Sequence, residues 1–200
     1  MKTTFKKLLC GVLCAMMLAS LAVPGFAVGE SRVLAVAHRG YSGAAPENSL
    51  AAMRLAGENG YYGCEFDIQP TKDGVWVVMH DDTVDRTTNG SGKISDLTYA
   101  ELSAFTIDNG NGLEQFPDEK IPTLEEALDV CKEYSIRPVI EVKGGKIKDM
   151  PALAELLNSR EEKDDFIVIS FTWEFLEPLR RLMPETEMWM LAQQVLPSHI

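Results

Sequence analysis

Between Val33 and Asp81 the chain repeats one pattern, an apolar run that stops abruptly at charged or polar groups. Val33-Leu34-Ala35-Val36-Ala37 runs into His38-Arg39-Gly40, and Val75-Trp76-Val77-Val78-Met79 runs into His80-Asp81. Between them, Cys64-Glu65-Phe66-Asp67-Ile68 sets two acids among apolar neighbours. An apolar run with such an ending reads as a buried strand delivering its last residues to a C-terminal mouth. Three of them in succession, with a helical stretch after the first, predict a parallel α/β sheet whose site lies at one rim. The chain reads as an enzyme.

The alternation continues to the C-terminal part. Asn48 is placed as the N-cap of a helix that ends at Asn59-Gly60. In the strand that follows, the two-residue period turns Cys64, Phe66 and Ile68 to one face and Glu65, Asp67 and Gln69 to the other. Lys72-Asp73-Gly74 turns into the third strand. The polar connection from Asp81 to Pro122, interrupted by a short helix around Thr98 to Phe105, is long for a compact domain and is expected to overhang the mouth. Thr123-Leu124-Glu125-Glu126 is a capping box that opens a helix ending near Tyr134. Strands over Pro138–Lys143, Phe166–Phe171 and Glu187–Ala192 then alternate with helices, one from Met150 to Ser159 and one reaching Met183. In the last helix Pro178 implies a late start or a kink.

Six strands alternating with helices leave a doubly wound sheet or a (β/α) barrel. The strand ends decide for the barrel, because a common mouth lets His38, Glu65, Asp67, His80, Glu141 and Lys143 converge, whereas an open sheet spreads them along a crevice.

Lys2, Lys6 and Lys7 precede an apolar segment, Leu8 to Val23, and Pro24-Gly25-Phe26-Ala27 supplies a cleavage site. Residues 1–27 therefore read as a secretory signal and residues 28–200 as the barrel domain of an exported protein. The apolar segment is shorter than the ~20 residues of a spanning helix, so no stable membrane insertion is expected after cleavage. Losing three lysines and no acids takes the formal net charge from −11 to −14. So acidic a chain disfavours nucleic acid and anionic membranes as partners, and any phosphate site must be built locally. Cys64 and Cys131 both fall at apolar-face positions and read as buried free thiols rather than a disulfide.

Glu65 and Asp67 point to the same side of their strand, and Glu141 ends another. Three carboxylates in one mouth repel unless a cation sits among them, and their oxygens suit a hard ion such as Mg²⁺ or Ca²⁺. Against this stands a solvent-facing edge with alternating acids, which is common on any strand. His38 and His80 each end an apolar run, as a general base and a general acid beside a phosphate would. The plainer alternative is a pair of rim histidines in an ordinary barrel. Arg39 offers a planar fork for phosphate oxygens and Lys143 a point charge. Arg86 reads as a loop anchor. Gly90-Ser91-Gly92-Lys93-Ile94 is no P-loop, since both the glycine spacing and the hydroxyl residue after Lys are wrong.

His38-Arg39-Gly40, Pro46-Glu47-Asn48, Glu65-x-Asp67, His80-Asp81 with Arg86-Thr87-Thr88-x-Gly90-x-Gly92, and Glu141-x-Lys143 together resemble the glycerophosphodiester phosphodiesterase family. The resemblance runs from about Val33 to Phe171. It implies a TIM-type (β/α)₈ barrel of the phosphatidylinositol-phospholipase-C-like kind, here lacking its last two βα units. It also implies Ca²⁺ or Mg²⁺ on Glu65, Asp67 and Glu141, an acid–base pair in His38 and His80, and phosphate contacts from Arg39 and Lys143. The reaction implied is hydrolysis of a small glycerophosphodiester to sn-glycerol 3-phosphate and an alcohol. Two other readings keep the same scaffold: a sphingomyelinase D-like phospholipase, and a truncated barrel that binds glycerophosphodiesters without turnover.

Overall fold

The structure, a computed structural model, describes residues 33–193; the signal segment read over residues 1–27 lies outside them. From Leu34 onward the described residues form one compact unit. In chain order the elements are β1 (Val36–Ala37), α1 (Leu50–Glu58), β2 (Gly63–Pro70), β3 (Trp76–Val78), α2 (Tyr99–Leu102), α3 (Leu124–Tyr134), β4 (Arg137–Val142), α4 (Met150–Asn158), β5 (Ile167–Ser170), α5 (Trp173–Leu182) and β6 (Glu187–Met190).

The strands pair in the order β1-β2-β4-β5-β6, all parallel, and β3 stands off this path on β2. Two expectations change here. First, β3 runs antiparallel to β2, with Ile68 opposite Val78 and Pro70 opposite Trp76. The five-residue link Thr71–Val75 is far too short to carry a chain back for a parallel pair, which needs a crossover of a dozen or more residues. Five strands, not six, therefore make up the parallel path. Second, β1 is brief: only Val36–Ala37 pair, while Val33 and Leu34 are exposed.

The pleat explains why the helices sit where they do. Cys64, Phe66 and Ile68 of β2, Ile140 and Val142 of β4 and Val168 of β5 form one core with Met53 and Ala56 of α1. Leu124, Leu128 and Cys131 of α3, Leu153 and Leu157 of α4 and Leu176 and Leu179 of α5 complete it. The helices that form this core thus share one face of the sheet. The alternate residues Val139, Ile167 and Ile169 form a separate apolar cluster on the other face. A doubly wound sheet would carry helices on both faces; a one-sided layer around parallel strands is the TIM-barrel arrangement. Truncating Phe66 or Leu128, both fully buried, would cost about 2–5 kcal/mol.

The capping box at Thr123 is present, its hydroxyl accepting from Glu126 N–H and the Glu126 carboxylate accepting from Thr123 N–H. Pro178 lies inside α5, which begins at Trp173, so the helix does not start late. The long connection folds around its own small core of Val84, Ile94, Leu102 and Ile121, packed on Val77 and Met79. Cys64 and Cys131 are free and buried, as expected. At the ends of the sheet path, Val36 on β1 and Trp189 and Met190 on β6 are exposed.

Candidate active site

β2 supplies two of the carboxylates on its inner face, and its register with β4 sets Asp67 directly beside Glu141. One oxygen from each of Glu65, Asp67 and Glu141 lies within 4.8 Å of the other two, and all three residues are buried. Burial first, then the Asp67 charge, push the Glu65 carboxyl up to about 8. Burial and Asp67 likewise raise Glu141, against the pull of Lys143. Glu65 Oε1 is buried with no hydrogen-bond partner. Crowded acids with an orphaned oxygen among them are satisfied by a cation, and an all-oxygen donor set fits a hard divalent one. These residues therefore fit the ion that the sequence motifs imply.

The crowding has a pH signature. Glu65 titrates at about 8 when folded, against an ordinary 4.5, so between those values the folded chain holds a proton that the unfolded chain has released. The Glu65 contribution to the stability of the cation-free protein is then fully present below about 4.5 and is lost as pH rises to about 8. A divalent cation competes with that proton. Its addition is expected to raise the melting temperature more at about pH 8 than at about pH 5. Thermal unfolding with chelator and with Ca²⁺ or Mg²⁺ at both values checks this, and equal shifts would count against the crowding.

His80 reaches the mouth by a route the sequence pattern did not reveal. β2 runs three residues past Asp67, to Pro70, the chain turns, and β3 returns until Met79 N–H donates to the Asp67 carbonyl at 2.9 Å. His80 Nδ1 then lies 2.6 Å from Asp81 Oδ1, and its Nε2 lies 3.0 Å from Lys143 Nζ. An ammonium only donates, so Nε2 accepts and the proton belongs on Nδ1; the partners assign the tautomer. Asp81 is gripped by Arg86, whose Nε donates to Oδ2 at 2.6 Å and holds the carboxyl down at about 2. Lys143 Nζ also lies 3.5 Å from Glu141 and 3.9 Å from Asp67. His38 stands at the rim with its side chain 72% exposed and Nε2 3.9 Å from Glu65 Oε2.

Arg39 is brought to the same place. Its backbone is left-handed (φ 55°), which points its N–H at Glu65 Oε2, 2.7 Å away. Gly40 follows at φ 73° with its Cα against α1, where a Cβ would meet Ala52 at 2.7 Å. One arm of the Arg39 guanidinium donates to Glu47 at 3.0 Å, while Nε, 3.6 Å from Asp67, is buried without a hydrogen bond.

Several residues at the site carry more than the sequence reading assigned them. Asn48 is not the helix cap: Ser49 is, its Oγ accepting from Ala52 N–H. Asn48 is left-handed (φ 58°), a conformation that asparagine tolerates better than most residues. Its amide donates to Asp67 Oδ2 at 2.8 Å and accepts from Asp67 N–H at 3.3 Å, locking that carboxylate. Glu47 bridges Arg39 and Arg86, and Arg86 above all holds its carboxyl below the usual range. Arg86, read as a loop anchor, ties the long connection to Glu47 and Asp81 together. The signal for Glu47 and Asn48 was their turn-forming setting after Pro46.

Among the described residues, no helix is long and apolar enough to cross a membrane. Residues 38–199 match the glycerophosphoryl diester phosphodiesterase family. Glycerophosphodiester phosphodiesterase 1 of Homo sapiens is 42% identical over 154 residues, which cover 76% of this chain and 46% of that protein. The glycerophosphodiester phosphodiesterase of Caldanaerobacter subterraneus subsp. tengcongensis is 37% identical over 166 residues, covering 81% of this chain and 68% of the relative. Among solved structures, an Oleispira antarctica phosphodiesterase in complex with the product sn-glycerol-3-phosphate superposes with a TM-score of 0.72 at 35% identity. That match covers 76% of this chain and 63% of the other. The chain thus spans about half the length of its human relative. The one-sided helix layer, the acids set side by side by β2 and β4, and these matches lead to one assignment: the chain belongs to the glycerophosphoryl diester phosphodiesterase family.

Proposed function

We propose that this protein hydrolyses small glycerophosphodiesters to sn-glycerol 3-phosphate and an alcohol, with Ca²⁺ or Mg²⁺ held by Glu65, Asp67 and Glu141. The observation that carries the reading is three buried carboxylates bordered by two histidines and two cations at one sheet rim. The product named for the Oleispira antarctica relative supports the substrate class.

When bound, the divalent ion supplies Lewis-acid polarisation of the phosphoryl oxygens. The chain's own residues do the rest. The accessible part of the Arg39 guanidinium and the ammonium of Lys143 hold non-bridging phosphate oxygens. As Lys143 turns to the phosphate it uncovers His80 Nε2, leaving that nitrogen to exchange a proton at the reacting centre. One histidine takes a proton from the nucleophile as the new P–O bond forms; the nucleophile is water, giving the product directly, or the substrate's neighbouring hydroxyl, giving a cyclic phosphodiester that water then opens with the two proton transfers reversed. The other delivers a proton to the alkoxide as the old P–O bond breaks. Asp81 and Arg86 keep the His80 ring in the tautomer this needs.

The test is product release from glycerophosphocholine by the purified chain, with Ca²⁺, with Mg²⁺ and with chelator. Chelator-sensitive glycerol 3-phosphate is the expected outcome. A folded chain that binds the diester stoichiometrically without product would replace this reading with that of a binding barrel. We also propose export, on the basic residues and apolar run of residues 1–27. An intact mass of the exported protein beginning at Val28 would support it, and retention of residues 1–27 would contradict it.

A further inference from the structure

One buried side chain holds the backbone on which His80 stands. Gln69 is an inward-facing residue near the end of β2, only 5% exposed. Its Nε2 lies 3.0 Å from the Met79 carbonyl oxygen, 3.2 Å from that of His80 and 2.7 Å from that of Asp81. The β2–β3 ladder ends where Met79 N–H meets the Asp67 carbonyl. Beyond that point, among the described residues, the Gln69 amide is the sole hydrogen-bond donor to these three carbonyls, and the N–H groups of His80 and Asp81 have no protein acceptor. Gly144 makes room for this side chain, since a Cβ there would come within 2.8 Å of Gln69 Oε1.

We propose that Gln69 is a positioning residue, a clamp on the His80–Asp81 backbone that keeps the imidazole between Asp81 Oδ1 and Lys143 Nζ. Backbone carbonyls shielded from water are costly to leave unpaired, so the turn settles where the two amide hydrogens can be shared among all three, one of them bifurcated. The ring contacts it protects are short, 2.6 Å and 3.0 Å, and a shift of about 1 Å would break both. This role rests on the reading of His80 as an acid–base group.

Gln69→Met tests it, because methionine keeps the length and apolar bulk and removes both amide hydrogens. Three properties are read: kcat and KM for glycerophosphocholine, cation affinity by calorimetry, and the imidazole nitrogen resonances of His80. Those resonances are assigned by their loss in His80→Ala, among only three histidines. The expected result is a kcat lower by about a hundredfold with KM and cation affinity nearly unchanged. The His80 nitrogens should move from a single Nδ1–H tautomer to an averaged pattern. Unchanged His80 resonances would overturn the clamp, as would a kcat loss matched by an equal loss of cation affinity. If the parent chain shows no turnover, the functional reading fails while the resonances still judge the clamp. Should Gln69→Met not fold, Gln69→Asn, whose amide is one methylene short, carries the same readouts. Unaltered His80 signals in that variant would equally refute it.

Discussion

Glu65→Gln is expected to make the cation-free protein more stable and, at the same time, to remove its turnover. The glutamate is buried, crowded by Asp67 and Glu141, and has one oxygen without a partner. An amide of the same shape can still accept the Arg39 N–H now bound by Oε2 at 2.7 Å. It brings no charge to desolvate or repel. Relieving such a buried, incompletely paired charge stabilises by about 1–4 kcal/mol, and each kcal/mol moves the melting temperature by about 2–4 °C in a domain of this size. The gain should grow as pH rises through about 8, where the parent carboxyl gives up its proton. The variant also loses a charged oxygen ligand, so cation affinity and turnover should each fall by more than about a hundredfold. Melting in chelator, calorimetric titration with Ca²⁺ or Mg²⁺, and product release separate the three effects. A variant that melts lower than its parent in chelator would show that Glu65 is not under electrostatic pressure.

His80→Ala should lower turnover by about 10²- to 10⁴-fold while the fold and the cation site persist. The ring is 28% exposed and is held by polar partners, Asp81 and Lys143, so the loss belongs to proton transfer. Asp81→Asn should follow it with a loss of at least about a hundredfold, since a neutral amide no longer enforces Nδ1–H on the imidazole. His38→Ala belongs in the same series. Repeating it with a 4-nitrophenyl ester, whose leaving group departs without a proton, assigns the roles: the histidine whose loss shrinks on that ester is the acid. A His80→Ala chain that turns over both esters at the parent rate would remove His80 from the chemistry.

How much of this was legible beforehand depends on the range of the interaction. The common face of Glu65 and Asp67 follows from a two-residue period and needs no fold. The capping box at Thr123 spans three residues and was equally plain. The direction of β3 was not visible in its apolar run, because Val75 to Met79 reads the same up or down a sheet. Its signal lay in the turn: a link as short as Thr71–Val75 joins antiparallel strands only. Asn48 was misplaced for a related reason. Capping rules look a few residues ahead, while its true partner, Asp67, is nineteen residues away.

The chain's own periodicities determined which residues face inward, where the capping box at Thr123 opens its helix, and that acids and histidines collect toward one rim, because those are nearest-neighbour consequences of backbone geometry. Only the tertiary structure decided that Asp67 stands beside Glu141, that β3 doubles back to bring His80 to Lys143, and that one amide on Gln69 ties that turn down. Those are matters of register and reach between segments far apart in the chain. They are settled by burying Phe66, Ile140 and Val168 against the helices on the opposite face of the same strands.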